Sequence, residues 1–389
     1  VRRLRCGRGG GPLEAAASAG DATTPEGRGC RSTAPTPCPP PAARRPYRLA
    51  GGLPGLLEPG ASTDPYRLRL YRVLRTDFPL GYDPALGGYL LSRYADVALA
   101  LTDPRFTGFP HDGAQPGPAP APLGLCRGSV VCAPLPGDPP PAPAARRRAV
   151  ERTAYVLARR ISRRERADLV SEFCDWLPAG AAAASDRLSY PDLRALSRPA
   201  PRHLPARPAA CATHTAVRER ALAAFLANML DHPDLLAAVR SGPPPGGGEP
   251  PAAPPAGTGS RSLFERAWTE TLRRDPPVQI VLRRTRTAVR VSGGALPAGA
   301  PVACLLGAAG RDPARFTAPD RFDPLRADAD PLLCGPAGCP AAVLGRLEAE
   351  HGLRALLDAM PGIRWADGFR PSASGVLTRA PRSLLVRPA

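Results

Sequence analysis

The chain has 389 residues, 43% of them apolar and so enough for a sizeable core, and 52 basic against 34 acidic side chains give a formal charge of +18. All 52 basic residues are arginine, and with 53 Pro and 39 Gly this is the usage of a GC-rich coding sequence, so no specific nucleic-acid partner is expected from the charge. No apolar run reaches the ~20 residues of a membrane helix, no hydrophobic leader opens the chain, and ten cysteines without paired spacing point to a reducing, cytoplasmic setting.

Residues 1–46 are Pro/Gly/Arg-rich and lack hydrophobic periodicity, which predicts a disordered extension ahead of a single domain over 47–389. Order is expected from Asp64-Pro65, an N-cap and first-turn proline opening a helix that carries Leu68, Leu70, Tyr71 and Leu74. A hairpin follows, with Leu80 and Tyr82, a turn through Asp83, Pro84, Gly87 and Gly88, and a strand from Tyr89 to Ser92. A second helix starts at Tyr94 and ends at Asp103-Pro104.

After a Pro-rich stretch, 144–178 reads as helix. Prolines at 199, 201, 205 and 208 delay the next helix, which is expected from Thr215 through Leu222, Phe225, Leu226 and Met229 to the stop at Asp231-His232-Pro233. The run at 241–260 is a flexible linker inside the domain. A helix over Leu263–Leu272 then ends at Asp275-Pro276-Pro277, strands are expected at 278–283, 287–291 and 301–306, and a long helix and a terminal strand pair close the chain.

Glu270 and Arg273 lie three apart on one helix face, a spacing that most often makes a solvated surface pair. Their context is more specific: Arg283, Leu296-Pro297-Ala298-Gly299, Arg311-Asp312-Pro313, Pro319-Asp320-Arg321-Phe322-Asp323-Pro324, and Cys339 just before a helix containing Leu344-Gly345-Arg346-Leu347-Glu348. That succession resembles the cytochrome P450 superfamily of the soluble bacterial type, in a degenerate or truncated member. The resemblance implies a mainly α fold with small β-sheets (α+β), shortened in the central lid region between Tyr190 and Thr213.

By the resemblance, Glu270, Arg273 and Arg321 would form a buried structural brace, and Cys339 would be the axial thiolate of a haem b iron. Pro340 suits a first helical position, and a thiolate at a helix amino terminus is stabilised by its unpaired N–H groups. The alternative is a small buried apolar cysteine, and a Cys334/Cys339 metal site lacks further partners. The family's F-G-x-G-x-H-x-C-x-G pattern falls on 332–341, where Gly335 and Cys339 are retained while Leu332, Leu333, Ala337 and Ala341 replace the other four positions.

Arg146 and Arg283 correspond to arginines that bind the haem propionates, whereas the matching histidines are Ala142 and Ala337. The family's oxygen-side acid and alcohol fall on Ala216 and Val217, with Thr215 the nearby hydroxyl and Thr213 and His214 just upstream. Two functions follow as expectations. One is a haem-thiolate monooxygenase of bacterial secondary metabolism, acting on a small organic substrate with electrons from ferredoxin and ferredoxin reductase. The other is a haem-free auxiliary protein of this fold that activates a partner enzyme such as a glycosyltransferase.

Overall fold

The computed structural model describes residues 56, 64–84, 86–108, 143–185, 209–241, 262–333 and 340–388. The expected extension over 1–46, the shortened lid and nearly all of the linker lie outside the described residues.

Helix α1 (Asp64–Thr76) forms where Leu70, Tyr71 and Leu74 recur at helical spacing, and all three are buried. The buried Arg67 shares that face. Its guanidinium donates to the Tyr71 hydroxyl at 2.6 Å and to the carbonyls of Gly375 and Val376 at 2.9 and 2.7 Å, which ties α1 to a turn near the carboxyl end. Strands β1 (Leu80–Asp83) and β2 (Gly88–Leu91) make the expected hairpin, with Gly87 at φ 60°, a conformation that favours glycine. Helix α2 (Tyr94–Thr102) leads into a short strand β3 (Phe106–Gly108).

The helix expected over 144–178 is broken. Helix α3 (Pro143–Ile161) ends in the charged run Ser162–Arg166, after which β4 (Ala167–Asp168) pairs with the carboxyl-terminal strand. The Asp168 carboxylate accepts from the N–H groups of Val170 at 3.0 Å and Leu384 at 2.7 Å, and Leu169 N–H donates to Leu384 O at 3.0 Å. These partners satisfy backbone groups that a continuous helix would have used. A π-helical turn (Val170–Cys174) and α4 (Leu177–Ser185) complete the segment.

Helix α5 (Ala209–Leu230) begins six residues before the expected Thr215, directly after the last proline of the preceding run, and α6 (Pro233–Ser241) follows. Helix α7 (Leu263–Arg274) starts on a capping box, in which Ser262 and Glu265 satisfy each other's backbone N–H groups. Strands β5 (Ile280–Thr285), β6 (Val289–Val291), β7 (Gly294–Leu296) and β8 (Pro301–Leu305) come next, followed by the one-turn α8 (Leu306–Ala309). The chain closes with α9 (Pro340–Ala359), β9 (Arg364–Trp365), β10 (Ala373–Ser374), β11 (Ala380–Pro381) and β12 (Leu385–Arg387).

The main sheet has the order β1-β2-β8-β5-β3, parallel only between β2 and β8. The terminal strands do not pair with each other as expected: β11 pairs with β10, and β12 sits between β4 and β9. Helices α3, α4, α5 and α9 pack as a bundle whose core includes Ala154, Ala158, Phe173, Leu222, Phe225, Leu353 and Leu356. A second core lies on the main sheet, around Tyr89, Val281, Val302 and Cys304. Among the described residues no single helix is long and apolar enough to cross a membrane.

Candidate functional site

The best-built polar site begins on α7. Glu270 and Arg273 are both fully buried and form a two-point ion pair, Nε to Oε2 at 2.7 Å and Nη2 to Oε1 at 2.8 Å. Two charges cost several kcal/mol to desolvate unless every remaining lone pair and proton is used. Here the Arg273 guanidinium also donates to the carbonyls of Gly310 at 2.6 Å, Pro319 at 2.8 Å and Arg321 at 3.2 Å, and lies over the Phe316 ring at 5.1 Å. Glu270 Oε1 further accepts from Asp323 N–H and from Arg326 Nε, each at 3.0 Å. The helix pair thus holds the whole 310–326 segment by its backbone.

The third arginine of this brace is Arg326, which corrects the expectation for Arg321. Arg321 is exposed and offers only its carbonyl. The chain turns sharply at Ala318, with φ 46°, and Arg321 N–H closes that turn on Ala318 O at 3.1 Å, sending the Arg321 side chain outward. Phe322 and Pro324 then turn inward, and Arg326 follows them into the core. It donates to Glu270, to Thr317 O at 2.9 Å and to Asp328 at 3.2 Å. Burial works against the Arg326 charge, but Glu270 and Asp328 outweigh it and its pKa is raised.

A second polar group, with no sequence signal beyond rarity, surrounds the chain's single asparagine. Asn228 on α5 donates to Thr271 and Asp275 at 3.2 Å each, and Asp275 also pairs with Arg274 at 2.7 Å and Arg311 at 2.9 Å. Burial opposes the Asp275 charge, yet Arg274 and Arg311 hold its carboxyl below the usual range. The end of α5 is thereby joined to the end of α7 and to the start of the braced segment.

The other predicted residues are dispersed. Arg283 lies on β5 opposite Val302 and Gly108, and donates to Leu282 O at 3.1 Å; it has no carboxylate partner among the described residues. Cys304 lies on the neighbouring strand β8, and burial pushes its thiol up to about 12 despite the Arg283 charge. Arg146 is half-buried in the first turns of α3. Thr215 is half-buried on α5, where its hydroxyl accepts from Arg218 Nη2 at 3.3 Å. Val217, two residues on, packs against the sheet core, as does Leu332. Cys339, Gly335, Cys334, Ala337 and Ala142 lie outside the described residues, although Cys339 directly precedes Pro340, the first residue of the 20-residue α9.

Between α5, α9 and α3 lies a cluster the sequence did not suggest. Arg218 donates to the buried Glu348 of α9, and His351 one turn later faces Glu151 of α3 at 3.4 Å. Burial pushes Glu348 up to about 7, opposed by Arg218 and reinforced by Glu219. Burial also holds His351 down to about 4, with Glu151 opposing and Arg147 and Arg354 assisting.

The two groups act on stability with opposite signs. Glu348 binds a proton in the folded chain at a pH where the unfolded chain has released it, so its contribution is full below its ordinary 4.5 and is lost as pH rises to about 7. His351 stays neutral in the folded chain, so its contribution is present above its ordinary 6.5 and is lost as pH falls through about 4. Glu348→Gln is therefore expected to flatten the decline in melting temperature toward pH 7, and His351→Phe to flatten the acid limb. Melting curves over this range, with the wild type alongside, measure both slopes.

A helical bundle beside a mixed sheet, with a buried glutamate–arginine brace holding the 310–326 segment, is a fold shared with solved cytochrome P450 structures. The family model described as "Cytochrome P450" matches residues 258–329. Protein DesVIII of Streptomyces venezuelae is 48% identical over 122 residues, 30% of each chain. Cytochrome P450 107B1 of Saccharopolyspora erythraea is 37% identical over 167 residues, 41% of this chain and 36% of that one. The structure of CYP109Q5 from Chondromyces apiculatus superposes with a TM-score of 0.62 at 21% identity, covering 85% of this chain and 97% of the other. Residues 258–329 are thus similar to the cytochrome P450 superfamily, and the fold is shared with its solved structures. In sequence the chain spans only about a third of the length of the curated relatives it matches, 30% of the first and 34% of the second.

On the propionate side, the described residues offer one cation compatible with haem. Arg283 brings a cation without a carboxylate partner among the described residues, and Cys339 comes immediately before a long helix. The oxygen side fits less well, since Ala216 and Val217 bring neither acid nor alcohol.

Proposed function

We propose that this chain is a haem-thiolate monooxygenase acting on a small organic substrate, with electrons from a ferredoxin and its reductase in the cytoplasm. The observation that carries the reading is the brace: three buried charged side chains, Glu270, Arg273 and Arg326, are retained to hold the segment leading to Cys339. In this reading Cys339 is the axial ligand, Gly335 lies in the loop before it, Arg146 and Arg283 neutralise the propionates, and Thr215 supplies the oxygen-side hydroxyl. A thiolate-ligated haem, when bound, supplies the electron donation that favours O–O cleavage.

A second reading is favoured by one observation. At the place where an acid–alcohol pair would act, Val217 is packed against the sheet core. That arrangement suits a haem-free auxiliary protein which uses the fold as a binding surface for a partner enzyme. The absorption spectrum of protein made with ample haem, reduced and exposed to carbon monoxide, separates the two. The first reading expects a thiolate-type band that is lost in Cys339→Ser and kept in Cys334→Ser. No haem band, or one indifferent to Cys339→Ser, would overturn it in favour of the second.

A further inference from the structure

The outward face of α3 carries charge of one sign. Arg148, Arg152, Tyr155 and Arg159 follow one another at spacings of four, three and four, which puts them on a single stripe of the helix, and all four are exposed. Val156 and Arg160, also exposed, flank the stripe. The opposite face, with Val150, Ala154, Ala158 and Ile161, is buried in the bundle, so this one stays turned to solvent. From Arg148 to Arg160 it runs about 18 Å at the helical rise. The acidic residue of α3, Glu151, belongs to the other side: it bonds Arg147 at 3.2 Å and faces His351 of α9 at 3.4 Å. Arg148, Arg152, Arg159 and Arg160 have no carboxylate partner among the described residues, and the Arg159 guanidinium lies over the Tyr155 ring at 5.5 Å.

Coding bias sets how many arginines the chain carries, but not this arrangement. With 34 acidic side chains to 52 basic ones, a random face would mix the two signs. Elsewhere they are mixed: Arg273 and Arg326 meet Glu270, and Arg274 and Arg311 meet Asp275. We propose that this face of α3 docks on an anionic phospholipid surface, with the four arginines on lipid phosphates and Tyr155 and Val156 seated in the headgroup layer between them. A guanidinium matches a phosphate with two parallel hydrogen bonds. A tyrosine, apolar in its body and polar at its tip, suits the layer where water gives way to lipid. The face is the convex side of one helix, and its apolar centre is two side chains, 51% and 45% exposed. That is little for a protein interface of about 800 Å² per partner, whereas a lipid surface needs no matching shape. Among the described residues no single helix is long and apolar enough to cross a membrane, so the contact is a peripheral one. It uses only α3 and does not depend on haem.

Sedimentation of the full chain with vesicles is the test. The chain is expected to sediment with phosphatidylcholine vesicles that contain phosphatidylglycerol, to stay in solution with phosphatidylcholine alone, and to be released as salt is raised. Each arginine near an anionic surface strengthens binding about fivefold. Arg148→Gln, Arg152→Gln, Arg159→Gln and Arg160→Gln combined should therefore weaken it by more than about a hundredfold. The melting temperature should hold, because all four side chains are exposed. Arg69→Gln, Arg72→Gln, Arg286→Gln and Arg290→Gln combined remove the same charge from other exposed positions and should leave binding at the wild-type level. Tyr155→Ala should weaken binding severalfold, and an unchanged affinity would overturn the seating of the ring. Equal losses in the two quadruple variants would assign binding to the overall charge of the chain and overturn the role of α3, as would binding that survives removal of the stripe. Absence of sedimentation with the anionic vesicles at low salt would overturn the membrane assignment and leave the face to an acidic protein.

Discussion

Arg326→Met is expected to destabilise the chain by about 3–5 kcal/mol, the usual cost of removing one partner from a buried ion pair, whereas Arg321→Met should stay within about 0.5 kcal/mol. The contrast follows from burial. Arg326 has 4% of its side chain exposed and bonds to Glu270, which has none exposed. Removing it leaves Glu270 Oε1 with Arg273 and one backbone N–H, and leaves the carbonyl of Thr317 without its donor. Arg321 contributes a carbonyl that any residue supplies. Urea unfolding of the two variants measures the difference, and equal losses would remove Arg326 from the brace. Glu270→Gln should cost at least as much as Arg326→Met, because it leaves two buried guanidinium groups facing a neutral amide.

Phe225→Ala should cost about 3–5 kcal/mol, the range for emptying a large aromatic from a core that cannot collapse around it. Phe225 is fully buried on α5, and its ring meets Phe264 edge-on at 5.4 Å and Trp268 at 5.5 Å, both of α7. Three aromatic rings locked against each other relax less than aliphatic neighbours would, so a cavity should remain. Tyr155→Ala on α3 is the control: the ring is 51% exposed, and little change is expected. Thermal melts of the two variants at one pH decide the matter. A loss below about 1 kcal/mol for Phe225→Ala would mean that the α5–α7 packing is looser than described.

The helices of the domain were legible because their signals are local. Leu222, Phe225, Leu226 and Met229 recur at helical spacing, and all four are buried. Ser262 with Glu265 forms a capping box from adjacent turns of chain. Likewise Glu270 and Arg273 had to share a face, whatever lay opposite. What the same reasoning missed shares one trait. Arg218 meets Glu348 across 130 positions, and Asp168 meets Leu384 across 216. In the segment after Gly310, arginines stand at 311, 315, 321 and 326, so residue type could not indicate which one enters the core. The turn at Ala318 makes that choice.

By itself the sequence determined that helices open at Asp64 and Tyr94 and run over Leu263–Leu272, which faces are apolar, and that a glutamate and an arginine stand one turn apart ahead of a cysteine-headed helix. Periodicity, caps and prolines act within a few residues, so no tertiary information is needed to read them. The tertiary structure alone decided that Arg326 rather than Arg321 completes the brace, that the helix over 144–178 breaks to let β4 pair with β12, and that α5 is tied to α9 through Arg218. Each of those outcomes depends on which polar groups are taken out of water together. Desolvation belongs to the assembled chain, since a charge or a backbone N–H is buried only where a distant partner arrives to meet it.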